Sequence, residues 1–328
     1  MESGANTANA RGADQIQEWA AQFQRDGFLA LSKFFSEEEI DPALTAVERL
    51  TRERANEIVV DDLATGERTF LAVARDPERG RFKYNDLYLA LSEVRDLALS
   101  PVLSRLLRAL LREERPVLCF SLNFVQGSAQ PIHIDSLYMT PKTPAHLVAT
   151  WIALEDAHPD AGPLVYYPAS HKIPLYTFSD GTRQARQEEM PNWSAYIESE
   201  MRRRGIEAER FLAGKGDLFI WHSDLVHGGS AIGDPTRTRR SLVCHYFTES
   251  DCASDANLRL EELNDGLWIN RFSQGVHTPP ERFGPDRPFP EEVYLRRYPD
   301  VREAVERGFI PSGFYHYQHH GFAEKRPL

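Results

Sequence analysis

The chain has 328 residues, of which 41% are hydrophobic and 27% are charged, and its formal net charge is -11. This length allows one large domain with a full core, or one domain with an appendage, while the acidic balance argues against a nucleic-acid binder, which needs a basic surface. The three scattered cysteines are too few for a disulfide framework, and no apolar run approaches the roughly 18 residues of a membrane span, so we predict a cytoplasmic protein.

The first third of the sequence predicts mainly helices. A flexible leader over residues 1–14 lacks the basic and apolar regions of a secretory signal. Apolar residues then recur at helical spacing in DQIQEWAAQFQRD, and SPVLSRLLRALLRE carries a stripe of leucines. SEEEIDPALTAVERLTRERA opens with Ser36 and Glu39, the pattern of a capping box. Between these helices, Val59 to Arg81 is mixed and predicts a loop.

From Pro116 onwards the pattern changes to short apolar runs with period two, separated by glycine and proline. Five strand segments are predicted, namely PVLCFSLNFVQG, HLVATWIALED, GPLVYYPAS, KGDLFIWHSDLVHGG and RRSLVCHYFTES. Helices followed by strands favour an α+β fold in which an antiparallel sandwich of the jelly-roll type carries packed helices. The insert over residues 180–210 contains EEMPNWSAYIESEMRRRG, which predicts a surface helix that could act as a lid.

After about residue 250 the strand pattern fades. HTPPERFGPDRPFPEE is typical of a linker, so we predict a main domain over 15–275, a linker over 276–290 and a small helical C-terminal module over 291–328. Its pattern YLRRYPDV, AVERG and a Tyr/His-rich helix resembles a short module found on bacterial glycosyltransferases and cell-surface proteins. Two interpretations stay open: a helical hairpin that packs on its own domain or in a homo-oligomer, or a surface for an envelope or glycan-related partner.

The stretch QPIHIDSLYM places an imidazole and a carboxylate one residue apart, at His133 and Asp135. Residues i and i+2 of an extended segment point to the same side, so both groups can approach one point. A third ligand is expected from a distant strand, and His227, which follows an apolar strand and precedes two glycines, fits best. Two imidazoles and one carboxylate on one face of a metal leave three coordination positions free, which is typical of non-haem Fe(II) oxygen chemistry.

Two arginines, Arg239 and Arg240, open the apolar strand RRSLVCHYF. An arginine that enters a buried strand needs a partner, because an unpaired buried charge is very unfavourable. Guanidinium binds carboxylate in a bidentate fork. A dicarboxylate such as 2-oxoglutarate could therefore chelate iron through its keto-acid end while its far carboxylate reaches an arginine.

The set HID, HGGS, RRSLVCHYF, ALEDAHPDAGPLVYYPASHK and FQRDGFLALSKFFSEEEI resembles the phytanoyl-CoA dioxygenase family of Fe(II)/2-oxoglutarate oxygenases, over roughly residues 15–250. The resemblance implies a double-stranded β-helix (cupin-like jelly roll) with His133, Asp135 and His227 as catalytic iron ligands. It implies Arg239, in preference to Arg240, as the anchor of 2-oxoglutarate. It also implies O₂ as cosubstrate and ascorbate as a support of turnover. The turns AGPL and PASH depart from the family's N-G-(P/A)-L and P-G-S-H, which affects the expected fit of the substrate.

Further positions near the predicted pocket carry two groups of expectations. The candidates for binding the cosubstrate are Asn123, Gln130 and Trp151, and those for binding substrate are Tyr138, Trp221 and His146. Tryptophans on strands are usually part of the core, so both interpretations of Trp151 and Trp221 stay open. His245, which alternates with Cys244, is predicted to be a packed histidine of the sheet.

The resemblance implies a dioxygenase that hydroxylates an unactivated C–H bond with release of succinate and CO₂. The carboxylate of Asp135 favours hydroxylation, because halogenating relatives carry a small residue at this position. The alternatives are a non-catalytic jelly-roll protein that binds a metal or ligand, and the same oxygenase chemistry with desaturation, epimerisation or cyclisation as its outcome. The sequence leaves open whether the substrate is a small molecule, a lipid or a glycan-related compound.

Overall fold

The computed structural model describes residues 12–55, 58–74, 81–253, 255, 257–285 and 287–328. Residues 1–11 of the predicted leader lie outside this described part. By packing, the chain divides into unit 1, Met1–Pro42 with Arg95–Asn270, and unit 2, Ala43–Val94 with Arg271–Leu328. Among the helices that the structure describes, none combines the length and the apolar character that a membrane crossing requires.

The helices and strands alternate irregularly along the chain. The helices are α1 (Ala13–Asp26), α2 (Glu37–Glu53), α3 (Ser92–Ala98), α4 (Pro101–Leu110), α5 (Met190–Arg204), α6 (Glu249–Ala253), α7 (Glu291–Arg297), α8 (Pro299–Glu306) and α9 (Gly313–His316). The strands are β1 (Phe28–Leu31), β2 (Val59–Asp62), β3 (Arg68–Phe70), β4 (Phe82–Asn85), β5 (Pro116–Phe124), β6 (Leu147–Ala153), β7 (Leu164–Tyr166), β8 (Glu209–Phe211), β9 (Leu218–His222), β10 (His227–Gly229), β11 (Ser241–Thr248), β12 (Arg259–Leu263) and β13 (Gly266–Asn270).

Unit 1 is built on a large, mostly antiparallel sheet. Its strands lie in the order β1-β9-β6-β11-β5, and β13 joins β5 in parallel while pairing with β12. Every residue of β6 is buried, as expected for a central strand that is covered on both faces. A smaller antiparallel sheet has the order β10-β7-β8. The described strands of unit 1 therefore form two sheets that do not close into a barrel, and the predicted α+β class is confirmed.

The predicted elements largely form where the patterns indicated. The segment KGDLFIWHSDLVHGG gives two strands, β9 and β10, because the chain turns between them and β10 joins the smaller sheet. Helix α2 begins as predicted after Ser36, whose backbone N–H donates to the Glu39 carboxylate at 2.8 Å, one half of the capping box. Helix α5 forms over the predicted lid segment.

Two expectations about strands are wrong. The strand pattern was expected to fade after residue 250, yet β12 and β13 form a hairpin whose turn holds Asn264 in the left-handed region, φ 54°. The glutamates of β12 mask its pattern, because this strand is only partly buried. The predicted loop after Val59 also contains strands β2 and β3, in which Arg68 pairs with Asp61 at 2.6 Å.

The core of unit 2 combines both of its chain segments. One hydrophobic cluster joins residues of β2 and β3 with residues of the C-terminal helices, namely Val59, Phe70, Val73, Val276, Tyr294, Leu295, Val301, Tyr317 and Leu328. The C-terminal helices thus pack on the strands of this unit. The predicted boundaries of a linker at 276–290 and of a module at 291–328 stay predictions, since shared packing does not establish which segment folds by itself.

We expect Gly216→Ala to destabilise the protein more than Gly205→Ala does. Both glycines have positive φ, 85° and 65°, so a side chain at either position introduces similar backbone strain, about 1–2 kcal/mol. A Cβ at Gly216 would also collide with the carbonyl oxygen of Phe35, whereas a Cβ at Gly205 meets no described atom within 4 Å. Urea unfolding of both variants measures the difference, and equal midpoints would contradict the expected collision.

Candidate active site

The backbones of His133 and His227 pair as an isolated antiparallel bridge. The N–H of His133 donates to the carbonyl of His227 at 2.9 Å, and the N–H of His227 donates back at 3.0 Å. The two imidazole rings consequently lie side by side, with centroids 4.4 Å apart. Local backbone pairing therefore unites the two histidines that the sequence places far apart.

Glycines after His227 permit this approach. A Cβ on Gly228 would lie 2.9 Å from the carbonyl oxygen of Gln130, and a Cβ on Gly229 would lie 2.8 Å from Ser128 Oγ. Real Cβ atoms do not tolerate such distances, so glycine is required where the two backbones come this close. The HGG sequence is therefore explained by the crossing segment that leads into His133.

Asp135 follows His133 by one extended residue. Ile134 has φ -122° and ψ 144°, so the side chains of His133 and Asp135 point to the same side. The extended geometry predicted from the H-x-D spacing is confirmed for Ile134. It ends at once, because Asp135 begins a short 3₁₀ turn over Asp135–Leu137.

Residues next to the metal-ligand candidates pack against helix α5. Ile134 and Val226 belong to a buried cluster that also contains Trp193 and Ile197 of the helix. The predicted surface helix thus buries its apolar face behind the segments that carry His133, Asp135 and His227. In this structure helix α5 supports those segments. Its predicted role as a lid stays a prediction.

The three candidate ligand groups face one another. Asp135 Oδ1 lies 3.7 Å from His133 Nε2 and 3.6 Å from His227 Nε2. Each imidazole places Nδ1 against a backbone carbonyl, that of Pro131 at 2.9 Å and that of Leu225 at 3.0 Å. A neutral imidazole that donates through Nδ1 presents the lone pair of Nε2. One ligand atom from each group lies within 4.8 Å of the others, so the cluster can hold a metal ion.

The charges in this cluster are set for metal binding. Burial tends to raise the pKa of Asp135, but the charges of His227 and His245 and the other nearby imidazole outweigh this effect and hold the pKa well below its usual range. Burial, followed by the charge of His133, lowers the pKa of His227 to about 4. At neutral pH the carboxylate is therefore ionised and the His227 imidazole is neutral, the forms in which both groups bind metals.

A cavity of about 240 Å³ opens beside the three groups. It is lined by residues of both sheets and of the segment around His133, namely Leu122, Phe124, Ser128, Gln130, His133, Asp135, Tyr138, Met139, Trp151, Leu164, Trp221, His227, Gly228, Gly229, Arg239, Val243 and His245. Apolar side chains thus surround a few convergent polar groups, which is the usual composition of a ligand site.

Arg239 is a buried cation on the wall of this cavity. It is 3% exposed, and no carboxylate of the described residues lies within ion-pair range of its guanidinium. One guanidinium nitrogen donates to the carbonyl of Gly162 at 2.7 Å, and the group lies 5.6 Å from the ring centre of Trp151. Burial lowers the pKa of Arg239 to about 10, which leaves it charged at neutral pH.

Arg240, unlike Arg239, has a carboxylate partner and does not line the cavity. Its guanidinium lies 3.7 Å from the carboxylate of Glu155, and its backbone N–H donates to the same carboxylate at 2.8 Å. It does not belong to the described lining of the cavity. Alternation along the strand separates the two neighbours, so only Arg239 reaches the candidate site.

Most of the other predicted residues also line the cavity. The Gln130 amide nitrogen lies 3.3 Å from His133 Nε2. The ring of Tyr138, which is half-exposed, lies 6.0 Å from that of His133. Trp151 carries a buried indole N–H with no hydrogen-bond partner among the described residues. Trp221 donates its indole N–H to Asp135 Oδ2 at 2.8 Å.

Two predicted residues are not brought to the cavity lining. Asn123 lies between Leu122 and Phe124 on β5, and because both neighbours line the cavity, the amide belongs to the opposite face of the strand. His146 is buried with its Nδ1 2.9 Å from Thr248 Oγ1 and 3.3 Å from Asp251 Oδ1. The geometry therefore does not favour the predicted contacts of Asn123 with the cosubstrate or of His146 with substrate, and both stay predictions.

His245 has a contact that the sequence reasoning missed. It lies on β11 and is buried, as predicted for a sheet histidine. It also lines the cavity, with Nε2 3.5 Å from Asp135 Oδ2. The sequence contained a signal for this contact. His245 and Arg239 are separated by an even number of residues, so their side chains point to the same side if the segment that leads into β11 is extended.

Comparison with known proteins decides the family. The family model described as phytanoyl-CoA dioxygenase (PhyH) matches residues 23–240, which is more than half of the chain. This chain belongs to the phytanoyl-CoA dioxygenase family. The predicted resemblance is thereby confirmed. The match includes His133, Asp135, His227 and Arg239 and ends at Arg240.

A curated relative supports the same assignment over a shorter stretch. The peroxisomal phytanoyl-CoA dioxygenase of Rattus norvegicus is 29% identical over 133 residues, which cover 38% of this chain and 35% of the relative. The chain therefore matches about a third of that relative's length.

Solved structures show the fold. The α-ketoglutarate-dependent epimerase SnoN of nogalamycin biosynthesis has a TM-score of 0.55 at 17% identity and covers 79% of this chain and 100% of its own. The carbocyclase SnoK of the same biosynthesis has a TM-score of 0.54 at 18% identity, and the match covers 81% of this chain and 100% of SnoK. EctD of S. alaskensis, solved with 2-oxoglutarate and 5-hydroxyectoine, has a TM-score of 0.52 at 21% identity, and the match covers 76% of this chain and 80% of EctD. SnoN has also been solved in complex with Fe3+ and α-ketoglutarate, and the His-Asp-His cluster of this chain is consistent with those cofactors.

We expect the purified chain to bind one Fe(II) under anaerobic conditions, and His227→Gln to weaken this binding strongly. The amide of glutamine replaces an imidazole that faces the other two ligand groups. His222→Gln is the matched control, because His222 is a partly buried histidine outside the three-residue cluster. Anaerobic equilibrium dialysis measures both affinities. Equal affinities of the two variants, or a wild-type chain that takes up no Fe(II), would contradict the assignment of the ligands.

Proposed function

We propose that this protein is an Fe(II)- and 2-oxoglutarate-dependent dioxygenase that hydroxylates an unactivated C–H bond of a small-molecule substrate and releases succinate and CO₂. The observation that carries the proposal is that one cavity contains both a His-Asp-His cluster and Arg239, a buried cation with no described carboxylate partner. The first group fits a metal and the second fits an anion. A keto acid with a second carboxylate satisfies both.

Arg239 is proposed to anchor the far carboxylate of 2-oxoglutarate. A buried cation without an anion is unfavourable, and a bidentate carboxylate offers it two parallel hydrogen bonds. Arg239 Nε and Trp151 Nε1 are buried N–H groups without a described partner, so both could donate to such an anion. This arrangement supports the predicted cofactor-binding roles of Arg239 and Trp151.

His133, Asp135 and His227 are proposed to hold the iron. When bound, iron and 2-oxoglutarate together supply the activation of O₂ and the oxidising chemistry that no amino-acid side chain provides. The chain contributes an ionised carboxylate and a neutral His227 imidazole, so these two groups need not lose a proton at neutral pH before they bind the metal. The apolar side chains of Leu122, Phe124 and Val243 limit the access of water beside Arg239.

The substrate is proposed to approach past Tyr138 and Trp221. Tyr138 is half-exposed and lines the cavity together with Gln130. The cavity volume of about 240 Å³ lies below the range of about 300–1,000 Å³ that is usual for small-molecule sites. We therefore infer that a small molecule, or only the reacting part of a larger lipid or glycan-related substrate, enters beside the cosubstrate.

Other outcomes of the same chemistry remain as a second candidate. SnoN and SnoK, which share this fold, are named as an epimerase and a carbocyclase. The two candidates differ in the fate of oxygen, because hydroxylation incorporates one atom of O₂ into the product, whereas epimerisation and ring closure do not. Mass spectrometry of the product formed under ¹⁸O₂ separates them once a substrate is available.

We expect Arg239→Gln to raise the KM for 2-oxoglutarate at least about tenfold, corresponding to the loss of about 1.4 kcal/mol or more from a charged hydrogen-bonded pair. Arg240→Gln is the matched control, since Arg240 pairs with Glu155 outside the cavity lining, and its KM should change less than about twofold. The measurement is succinate formed from 2-oxoglutarate with Fe(II) and O₂ in the absence of substrate. If Arg240→Gln raised the KM for 2-oxoglutarate more than Arg239→Gln does, the anchor would be Arg240.

We expect wild-type protein to form succinate slowly in this assay and Asp135→Ala to form none. The substitution removes the carboxylate that faces both imidazoles. Thermal unfolding of the metal-free variant controls for loss of the fold. Absence of succinate from the wild-type protein, despite tight binding of Fe(II) and 2-oxoglutarate, would favour the non-catalytic binding protein.

A further inference from the structure

The two oxygens of the Asp135 carboxylate have different surroundings. Oδ1 faces Nε2 of both His133 and His227. Oδ2 accepts a hydrogen bond of 2.8 Å from the indole N–H of Trp221 and lies 3.5 Å from Nε2 of His245. One oxygen is thus directed towards the candidate metal position, while the other is already engaged by a group of the protein.

Trp221 and Asp135 belong to different kinds of backbone structure. It lies in β9, where its register partners are Phe28 of β1 and Ala149 of β6, and it is 2% exposed. Asp135, by contrast, begins a 3₁₀ turn outside either sheet. The hydrogen bond therefore joins a strand that is paired on both sides to a carboxylate on a short turn.

The same indole contacts a second candidate ligand. The ring centre of Trp221 lies 4.9 Å from that of His227. Trp221 thus touches two of the three groups that would hold iron, while it belongs neither to the 3₁₀ turn of Asp135 nor to the strand of His227. Its position is that of a support for the metal ligands, and filling the core is only part of its role.

We propose that Trp221 is a positioning residue that keeps Asp135 a one-oxygen ligand. A carboxylate can bind a metal through one or both oxygens, and binding through both would occupy one of the three positions that the facial triad leaves open. By holding Oδ2, the indole N–H directs Oδ1 alone to the metal and preserves those positions for 2-oxoglutarate and O₂. The inference rests on the function proposed above.

A purely structural role for Trp221 makes a different prediction. If the ring mattered only by filling space, a side chain of the same shape without the N–H would serve equally well. If the hydrogen bond matters, its removal weakens metal binding even when packing is unchanged. Outer partners of metal ligands generally contribute about 10–100-fold to metal affinity.

The test compares Trp221→Phe with Trp193→Phe. Trp193 is fully buried in α5 against residues next to the candidate ligands, and its indole N–H has no hydrogen-bond partner among the described residues, so its replacement reports loss of ring volume beside the same segments without loss of a hydrogen bond. We expect Fe(II) affinity, measured by anaerobic equilibrium dialysis, to fall about tenfold in Trp221→Phe and to stay within about twofold of wild type in Trp193→Phe. Equal losses in the two variants would overturn the proposal.

A second substitution and a second readout protect the test against misfolding. Benzothienylalanine incorporated at position 221 has nearly the shape of tryptophan but carries no N–H, so the packing against His227 is retained. The absorption spectrum of bound Co(II), which responds to coordination number, should differ between this protein and wild type. An unchanged spectrum together with unchanged Fe(II) affinity overturns the role of the hydrogen bond.

Failure of the inference can be told apart from failure of the proposed function. A wild-type protein that binds Fe(II) and forms succinate, with Trp221 variants that match it in affinity and spectrum, refutes only the positioning role. A wild-type protein that binds no Fe(II) refutes both. An intact metal site with no succinate formation refutes the proposed chemistry, and the spectrum of bound Co(II) still decides whether Trp221 restrains the carboxylate.

Discussion

Two backbone hydrogen bonds between His133 and His227 hold together the two segments that form the candidate metal site. They join a segment that precedes the 3₁₀ turn of Asp135 to a strand of the smaller sheet, and the side chains follow from that pairing. Gly228 permits the close approach, and one extended residue, Ile134, returns the next side chain to the same side. The backbone positions of the three candidate ligands are therefore set mainly by main-chain interactions.

The remaining groups of the site come from the large sheet. Trp221 on β9 and His245 on β11 approach one carboxylate oxygen, and Arg239 lies in the segment that leads into β11. The candidate ligand on the short turn thus contacts residues on strands, and strands hold side chains more precisely than loops do. Trp193 of helix α5 packs in one buried cluster with Ile134 and Val226, which lie next to the candidate ligands. This division explains how a turn can present a carboxylate in a defined orientation.

Parity along strands explains which site residues could be predicted. The spacing of His133 and Asp135 requires only one extended residue between them, so it is visible in the sequence. Whether Asn123 or its neighbours face the cavity depends on which side of β5 is covered by the smaller sheet, and no local pattern reports this. The hydrogen bond of Trp221 is similarly hidden, because it joins a strand to a turn that are far apart in sequence. The hairpin of β12 and β13 was missed because two consecutive glutamates, Glu261 and Glu262, interrupt the alternation of a partly buried strand.

The two buried charges of the cavity, those of Asp135 and Arg239, differ in whether the described residues supply a group of opposite charge. Burial raises the pKa of Asp135, but the charges of the surrounding imidazoles hold it below the usual range. The carboxylate also accepts a hydrogen bond from an indole N–H. Arg239 has a carbonyl and an aromatic ring beside it, and no described carboxylate. A folded chain tolerates such an unbalanced cation when the balancing anion comes with a ligand. The acidic overall charge of the protein makes the lack of an internal partner for Arg239 more informative, since carboxylates are abundant in the chain and none of the described ones lies within ion-pair range of this guanidinium.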